Sequence, residues 1–149
     1  MYNEFEVIKM KPIKMVVVCN NENWCEQLNK QIMNYPSLTV SEIIYDYKDL
    51  DRAMSQYMPE ILISDLDLLI STGYKYEFIA ERTMSWDPKL PFVMSIGDDD
   101  HRAINNGMRD VFDFWNNKTP EDGSVDDVLR ILEGIAPLLS EAKDKLNKK

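Results

Sequence analysis

The chain has 149 residues, which is typical of one compact domain and short for most two-domain enzymes. Hydrophobic residues make up 44% and charged residues 29%, a mixture that excludes collagen-like, coiled-coil and disordered chains. The 17 basic and 26 acidic residues leave a net charge of −9, so we expect no sequence-independent binding of nucleic acid. No apolar run approaches the ~20 residues of a membrane span.

The sequence offers few residues for nucleophilic catalysis or for a soft-metal site. Cys19 and Cys25 lack the spacing of a zinc or CxxC motif, so we expect reduced thiols and a cytoplasmic protein. The single histidine, His101, leaves little room for a Ser–His–Asp or Cys–His mechanism. We therefore expect a protein that is not an enzyme.

The first half of the chain predicts two strand–helix pairs. Residues 14–18 are one lysine followed by four apolar residues, as in a buried strand, and the helix after them begins at an asparagine cap. Residues 38–45 are partly alternating, as in an outer strand. The helix that follows is capped by Asp46 or Asp49 and ends before Pro59.

The middle of the chain predicts two further buried strands, at 61–63 and 91–96. Between them, a loop leads into a helix over residues 74–84. After the second of these strands, a short helix ends at Gly107, which suits the position just past a helix.

The last part predicts an outer strand at 111–114, because its polar and apolar residues alternate. Ser124 then opens a long final helix, which Pro137 should kink or split.

These elements predict a doubly wound α/β domain with a five-stranded parallel sheet in the order 2-1-3-4-5. The three strands without alternation should be central, and the other two should be edges. The domain is expected over 14–136, with an N-terminal extension at 1–13 and a C-terminal helical extension at 137–149. Residues 6–8 could add an edge strand or belong to a frayed terminus.

Carboxylates follow two of the central strands and form the candidate site. Asp65 and Asp67 end one strand, and residues 98–100 are three aspartates that follow the next. Ligands of such sheets bind outside the carboxyl ends of the strands, and clustered carboxylates suit Mg²⁺ or Ca²⁺. Residues 98–100 could instead cap the following helix.

Residues 59–65, Pro-Glu-Ile-Leu-Ile-Ser-Asp, resemble the third strand of response-regulator receiver domains. In that family, a proline and an acid precede an apolar strand that ends in the phosphoacceptor aspartate. The strand–helix alternation over roughly 14–135 is similar too. The resemblance implies a CheY-like, flavodoxin-like fold, a role in two-component signalling and phosphorelay, and Asp65 as the phosphoacceptor candidate.

The chain departs from the receiver pattern at the other positions of the phosphorylation site. The acidic pair that holds Mg²⁺ in receivers is matched by Cys19 and Asn20, and the Thr or Ser of the fourth strand is matched by Ile96. Counted from Gly107, the lysine position falls on Phe114, and Lys118 lies four residues later.

These departures imply a degenerate site. A carboxylate ~4 Å from a divalent cation contributes roughly 8 kcal/mol at an effective dielectric constant of ~20, before desolvation. Without the acidic pair, Mg²⁺ would bind weakly at Asp65, Asp67 and Asn20. We therefore expect a pseudo-receiver that acts through protein contacts, without ordinary aspartyl phosphorylation.

The expected partner is a protein, with a second copy of the chain as one candidate. In receivers, the fourth helix, fifth strand and fifth helix often form the partner surface. The matching segment contains Phe112 and Trp115, and an aromatic cluster at an edge strand suits an interface. Core packing of Phe112 and Phe114 is the competing interpretation.

Three other interpretations remain open. Asp65 could be a working phosphoacceptor. Asp65 and Asp67 also resemble the nucleophile motif of haloacid-dehalogenase-type, Mg²⁺-dependent phosphohydrolases, although too few residues separate them from Asp98 for the remaining motifs of that family. A nucleotide or flavin site is disfavoured, because no glycine-rich loop follows the first strand.

Overall fold

A parallel β-sheet forms the centre of the computed structural model, which describes residues 12–85, 92–98, 114–117 and 124–147. Its strands are β1 (Ile13–Val18), β2 (Leu38–Ile44), β3 (Ile61–Asp65), β4 (Phe92–Gly97) and β5 (Phe114–Asn117). Their order is β2-β1-β3-β4-β5, and every neighbouring pair is parallel. The predicted sheet and its two edge strands are confirmed.

Helices follow the strands in chain order. The described residues contain α1 (Glu22–Gln31), α2 (Leu50–Tyr57), α3 (Leu66–Ser71), α4 (Glu77–Ser85) and α5 (Ser124–Asn147). Asn21 caps α1 by accepting a hydrogen bond from the backbone N–H of Trp24, at 3.0 Å. Met58 ends α2 in the left-handed conformation, with φ of 45°, directly before Pro59.

Two apolar layers flank the sheet. On one face, α1 and α5 pack against side chains such as Val17, Ile63 and Ile96. On the other, α2, α3 and α4 cover side chains such as Val18 and Leu62. Because both faces of the central strands are buried, their sequences read as continuous apolar runs. The three-layer α/β/α architecture predicted from the sequence is confirmed.

The structure corrects the predicted end of the fifth strand. We expected it to end at Phe114, but Phe114 is the first residue of β5 and lies opposite Met94. The strand ends at Asn117, opposite Gly97. The count from Gly107 assumed the usual number of residues before the end of the strand, and β5 ends three residues beyond that count. The carboxyl end of β5 is therefore three residues later than Phe114.

Two helical predictions also need correction. A loop with Ser71, Thr72 and Gly73 was expected after Asp65 and no helix before it, whereas Leu66–Ser71 forms α3 and only Thr72 and Gly73 lie in a turn. The final helix runs without interruption across Pro137, so it is not split there. A proline inside a helix removes one backbone hydrogen bond, whereas Leu132, Ala136 and Leu139 are buried before and after it and keep the helix on the sheet.

Several predictions fall outside the described residues: the strand at 6–8, the caps at 99–100, the helix ending at Gly107, and the positions of Phe112 and Lys118. The domain limits proposed at 13 and 136 remain predictions.

Candidate functional site

Asp65 is the last residue of β3 and is fully buried. Its Oδ1 accepts hydrogen bonds from the backbone N–H groups of Asp67, at 3.0 Å, and of Leu68, at 3.4 Å. These contacts make Asp65 the N-cap of α3. The carboxylate therefore has a structural role, because it satisfies donors that the first turn of a helix leaves open.

Cys19 contacts the other oxygen of this carboxylate. β1 pairs with β3 up to Val18 and Ser64, so the next residue of each strand, Cys19 and Asp65, comes to the same edge of the sheet. The Cys19 Sγ donates a hydrogen bond to Asp65 Oδ2 at 3.4 Å, and Cys19 is fully buried. A neutral thiol thus stands where the resemblance leads one to expect a carboxylate.

The Cys19 thiol is held in its protonated form. A hydrogen bond with the Cys25 side chain, burial and the Asp65 charge raise the pKa of Cys19 far above its usual range. Cys25 is also buried, and its Sγ donates to the Cys19 carbonyl oxygen at 3.5 Å. The protonated thiol suits the contact, since only the protonated form can donate to a carboxylate.

Tyr47 belongs to the apolar layer that contains α2, α3 and α4, and it contacts the end of β3 from that face of the sheet. Its hydroxyl lies 2.6 Å from Ser64 Oγ and donates to the Asp65 carbonyl oxygen at 2.8 Å. Burial raises the pKa of Tyr47 well above its usual value, so this hydroxyl stays protonated. The rings of Tyr74 and Phe78 pack on it with centroid distances of 6.0 and 6.1 Å.

The β4 side of the site offers little polar chemistry. Ile96 lies opposite Asp65 in the strand pairing and is fully buried in the apolar layer that contains Cys19. Ser95 lies opposite Ser64, and its buried Oγ has no hydrogen-bond partner among the residues that the structure describes. The hydroxyl residue of this strand is therefore one position away from the residue paired with Asp65.

Asp67 links the first turn of α3 to the residue that follows β4. Its carboxylate accepts a hydrogen bond from the backbone N–H of Asp98, at 3.1 Å from Oδ2 and 3.4 Å from Oδ1. Burial, together with the charge of Asp67, raises the pKa of Tyr76. Asp67 thus fixes the end of β4 relative to the start of α3.

The described residues do not fit a Mg²⁺ site around Asp65. Mg²⁺ requires near-octahedral oxygen ligands, usually from one or two carboxylates and several waters. Both Asp65 oxygens are engaged by backbone N–H groups and by the Cys19 thiol, and Asn20 is exposed. Within the described parts of the chain, no three His, Cys, Asp or Glu side chains are grouped so that they could hold a metal ion.

The structure places Asp65, Cys19 and Ile96 together at one edge of the sheet, with Tyr47, Cys25 and Ser95 nearby. Asp46 places Tyr47, because Asp46 Oδ1 accepts the Lys48 N–H and opens the 3-10 turn Tyr47–Asp49. No signal in the sequence marks that turn as directed towards Asp65. Trp115 lies in β5 opposite Ser95, which leaves its proposed interface role a prediction.

Comparison with known proteins identifies the fold. No family model and no curated protein sequence matches the chain. Among solved structures, the signal receiver domain of the response regulator NarL from Mycobacterium tuberculosis matches with 15% identity and a TM-score of 0.64, covering 83% of this chain and 98% of that one. A LuxR-family two-component response regulator from Aurantimonas matches with 13% identity and a TM-score of 0.65, covering 91% and 99%.

A third similar structure, the Mn²⁺-bound form of the response regulator Rcp1, has 16% identity and a TM-score of 0.58, and the match covers 83% of this chain and 91% of that one. The chain therefore has the CheY-like fold of response-regulator receiver domains, as the sequence predicted. No helix in the described residues is both long and apolar enough to cross a membrane.

Proposed function

We propose that the chain is a receiver-like signalling domain that acts through protein–protein contacts and does not use Asp65 as an ordinary phosphoacceptor. The observation that carries the proposal is the state of the Asp65 carboxylate. It is fully buried, and its two oxygens accept hydrogen bonds from the α3 backbone and from the Cys19 thiol. Neither cysteine is in a disulfide, which fits a reducing compartment such as the cytoplasm.

Aspartyl phosphorylation needs three features that these residues do not supply. The attacking oxygen must reach the phosphorus atom, yet Asp65 has no exposed surface. The charge that develops on the phosphoryl group must be neutralised, and the neutral Cys19 thiol contributes no metal ligand of the required kind. A hydroxyl beside the group would help to hold it, and Ile96 has none.

The test is an amide NMR titration of the reduced chain with Mg²⁺ and then with beryllofluoride, which imitates an aspartyl phosphate. We expect no saturable shifts at Leu66, Asp67 or Leu68 at millimolar Mg²⁺. Asp65→Asn is the matched control, because it keeps the shape of the side chain and removes the charge. Saturable shifts that need both additions, and that disappear in Asp65→Asn, would contradict the proposal.

A gain-of-function variant makes the negative result informative. Cys19→Asp combined with Asn20→Asp restores the acidic pair that the resemblance implies. We expect this double variant to bind Mg²⁺ at least ~10-fold more tightly than the original chain, since even a small part of the attraction to added carboxylates exceeds 1.4 kcal/mol. Equal Mg²⁺ affinities would show that Cys19 and Asn20 do not control the site.

A working phosphoacceptor at Asp65 is the second candidate, and the position of β5 favours it. The receiver lysine follows the fifth strand, and Lys118 comes directly after the last residue of β5. Replacing Lys118 by Ala in the double variant should weaken beryllofluoride binding by about 10-fold or more, because a charge-assisted hydrogen bond contributes ~1.5–3 kcal/mol. Lys48→Ala, at an exposed lysine, is the control.

We propose that the partner surface includes the side of α5 that carries Ile131, Ile135 and Leu138. Ile131, Ile135 and Leu138 are spaced as neighbours on one side of a helix, and Leu138 is 64% exposed. Asp126 and Glu133 lie on the other side, where they contact Tyr35 and Ser37.

A second copy of the chain is one candidate partner, as the aromatic residues Phe112 and Trp115 suggested. Leu138→Glu should leave the free energy of unfolding within about 0.5 kcal/mol of the original and weaken self-association in sedimentation velocity. Leu138 is exposed, so the variant should fold normally. Association that is unchanged in Leu138→Glu, or a chain that stays monomeric at every concentration, would contradict self-association through this side of α5.

A further inference from the structure

Two thiols and a carboxylate meet at the carboxyl end of β1. Cys19 follows the strand, and Cys25 lies in α1 six residues later. The Cys25 Sγ donates to the Cys19 carbonyl oxygen at 3.5 Å, and the Cys25 side chain is also a hydrogen-bond partner of the Cys19 thiol. The two side chains are therefore neighbours, and neither cysteine is in a disulfide.

The third group of this cluster is Asp65, whose Oδ2 accepts the Cys19 thiol proton at 3.4 Å. Cys19 thus lies between a second thiol and a base. This arrangement is more specific than two cysteines packed in a core, because packing alone does not require either hydrogen bond. The proton that Cys19 must lose on forming a sulfur–sulfur bond already points at a carboxylate oxygen.

We propose that Cys19 and Cys25 form a reversible disulfide when a peroxide oxidises the chain, and that the disulfide removes the thiol donor from Asp65. The proposal rests on the function proposed above in one respect, namely that the disulfide would regulate the receiver-like domain. The thiol chemistry depends on the three side chains alone.

The chemistry proceeds in two balanced steps. The Cys25 sulfur is the first to react, because Cys25 retains 6% exposure and Cys19 has none. It attacks one peroxide oxygen as the thiolate, and the O–O bond breaks. With hydrogen peroxide, the leaving hydroxide takes up the proton that the Cys25 thiol lost, so the products are a sulfenic acid and water. The Cys19 sulfur then attacks the Cys25 sulfur, so that the S–S bond forms and the S–O bond breaks.

The proton of Cys19 passes through Asp65 Oδ2 to the leaving hydroxide, which becomes the second water. In total, two thiols lose two electrons and two protons, and one hydrogen peroxide is reduced to two waters. Burial and the raised pKa of Cys19 make the reaction slow in the closed protein. The site therefore responds to sustained oxidation and not to brief exposure.

Oxidation changes the environment of Asp65. A disulfide sulfur has no hydrogen to donate, so Asp65 Oδ2 loses its Cys19 contact while the carboxylate stays buried. The same carboxylate caps α3 through Asp67 and Leu68. The start of α3 is therefore the first place where oxidation alters the backbone.

The test uses the full reduced chain treated with hydrogen peroxide. Both cysteines lie in one tryptic peptide, residues 15–30, so the disulfide appears as a peptide lighter by two hydrogens that resists alkylation until dithiothreitol is added. Amide spectra of the same sample should show shifts at Asp67 and Leu68 that dithiothreitol reverses. Cys25→Ser is the matched control: it keeps the Cys19–Asp65 contact and cannot form the disulfide.

Three results would overturn the proposal: alkylation of both cysteines after treatment, irreversible oxidation of either sulfur, or equal shifts at Asp67 and Leu68 in Cys25→Ser. If Cys25→Ser loses its dispersed spectrum, Cys25→Ala replaces it. Peptide mapping separates oxidation of the exposed Met33 and Met58 from the thiol reaction. Failure of the proposed function has a different signature, saturable Mg²⁺ and beryllofluoride shifts in the reduced chain.

Discussion

The structural role of Asp65 leads to a prediction that separates a helix cap from a reactive carboxylate. In Asp65→Ala, α3 loses its cap, which costs ~0.5–2 kcal/mol. The buried thiol of Cys19 also loses its acceptor, and leaving a buried polar group unsatisfied costs ~1–3 kcal/mol. We therefore expect Asp65→Ala to lower the free energy of unfolding by about 2–4 kcal/mol.

Asp65→Asn should behave differently, because the amide keeps the shape of the side chain and an oxygen that can accept from Asp67 and Leu68. It also removes a buried charge, which offsets part of the weaker hydrogen bonding. We expect Asp65→Asn to remain within about 1 kcal/mol of the original chain.

Equilibrium unfolding in urea measures both variants. With a slope of ~1–3 kcal/mol per molar urea, a loss of about 3 kcal/mol moves the midpoint by at least ~1 M. An Asp65→Ala variant as stable as the original chain would refute the cap argument, since it would mean that the carboxylate is retained at a cost to stability. An Asp65→Asn variant less stable than the Asp65→Ala variant would mean that the negative charge of Asp65 stabilises the fold.

Three further predictions concern the surroundings of the site and the sheet edge. Tyr47→Phe removes the hydroxyl that contacts the buried Ser64 hydroxyl and the Asp65 carbonyl, so it should lower the free energy of unfolding in urea by about 1–3 kcal/mol. The control Tyr45→Phe changes a residue that is 64% exposed and should alter this free energy by no more than ~0.5 kcal/mol. Ser95→Ala should leave stability unchanged or raise it, because its buried hydroxyl has no partner in the described residues; a loss above about 1 kcal/mol would reveal one. A hydrogen bond from Arg52 lowers the pKa of Glu42 in the folded protein. Ionised Glu42 therefore stabilises the fold at a pH above its pKa in the unfolded chain, and this stabilisation is lost as the pH falls through its pKa in the folded protein. The stability gap between the original chain and Glu42→Gln, measured by thermal unfolding, should therefore narrow below pH ~4.3, and a constant gap would contradict the pairing.

The architecture could be predicted because its signals are local and repeated. Continuous apolar runs such as 61–63 show which strands are buried on both faces, and helical periodicity marks the helices between the strands. The regular alternation of strands and helices then predicts a parallel sheet. The position of β5 could not be predicted in the same way. Its markers were a short alternation at 111–114 and a count from Gly107, and the hydrophobic pattern does not give the length of a loop.

The candidate site was only partly predictable for a related reason. The pairing of strands brings Cys19 and Ile96 next to Asp65, and the positions of strand ends in the sequence give that proximity. Hydrogen-bond partners depend on side-chain direction as well. Tyr47 donates to the Asp65 carbonyl from a 3-10 turn, and Cys25 contacts Cys19 from the first turns of α1. Both contacts depend on the backbone conformation of those turns, which the sequence pattern does not give.

The three departures at Cys19, Asn20 and Ile96 are best understood together. A pocket with several carboxylates needs a cation and water, because unpaired carboxylates repel one another. Here the residue paired with Asp65 is aliphatic, and the neighbouring acid is replaced by a protonated thiol, so one buried carboxylate remains and is stabilised by neutral donors. Restoring a single acid with Cys19→Asp would place two carboxylates in contact and remove the thiol donor. The described residues therefore form a helix cap with neutral hydrogen-bond donors at Asp65, and they do not group the acidic side chains that a cation site needs.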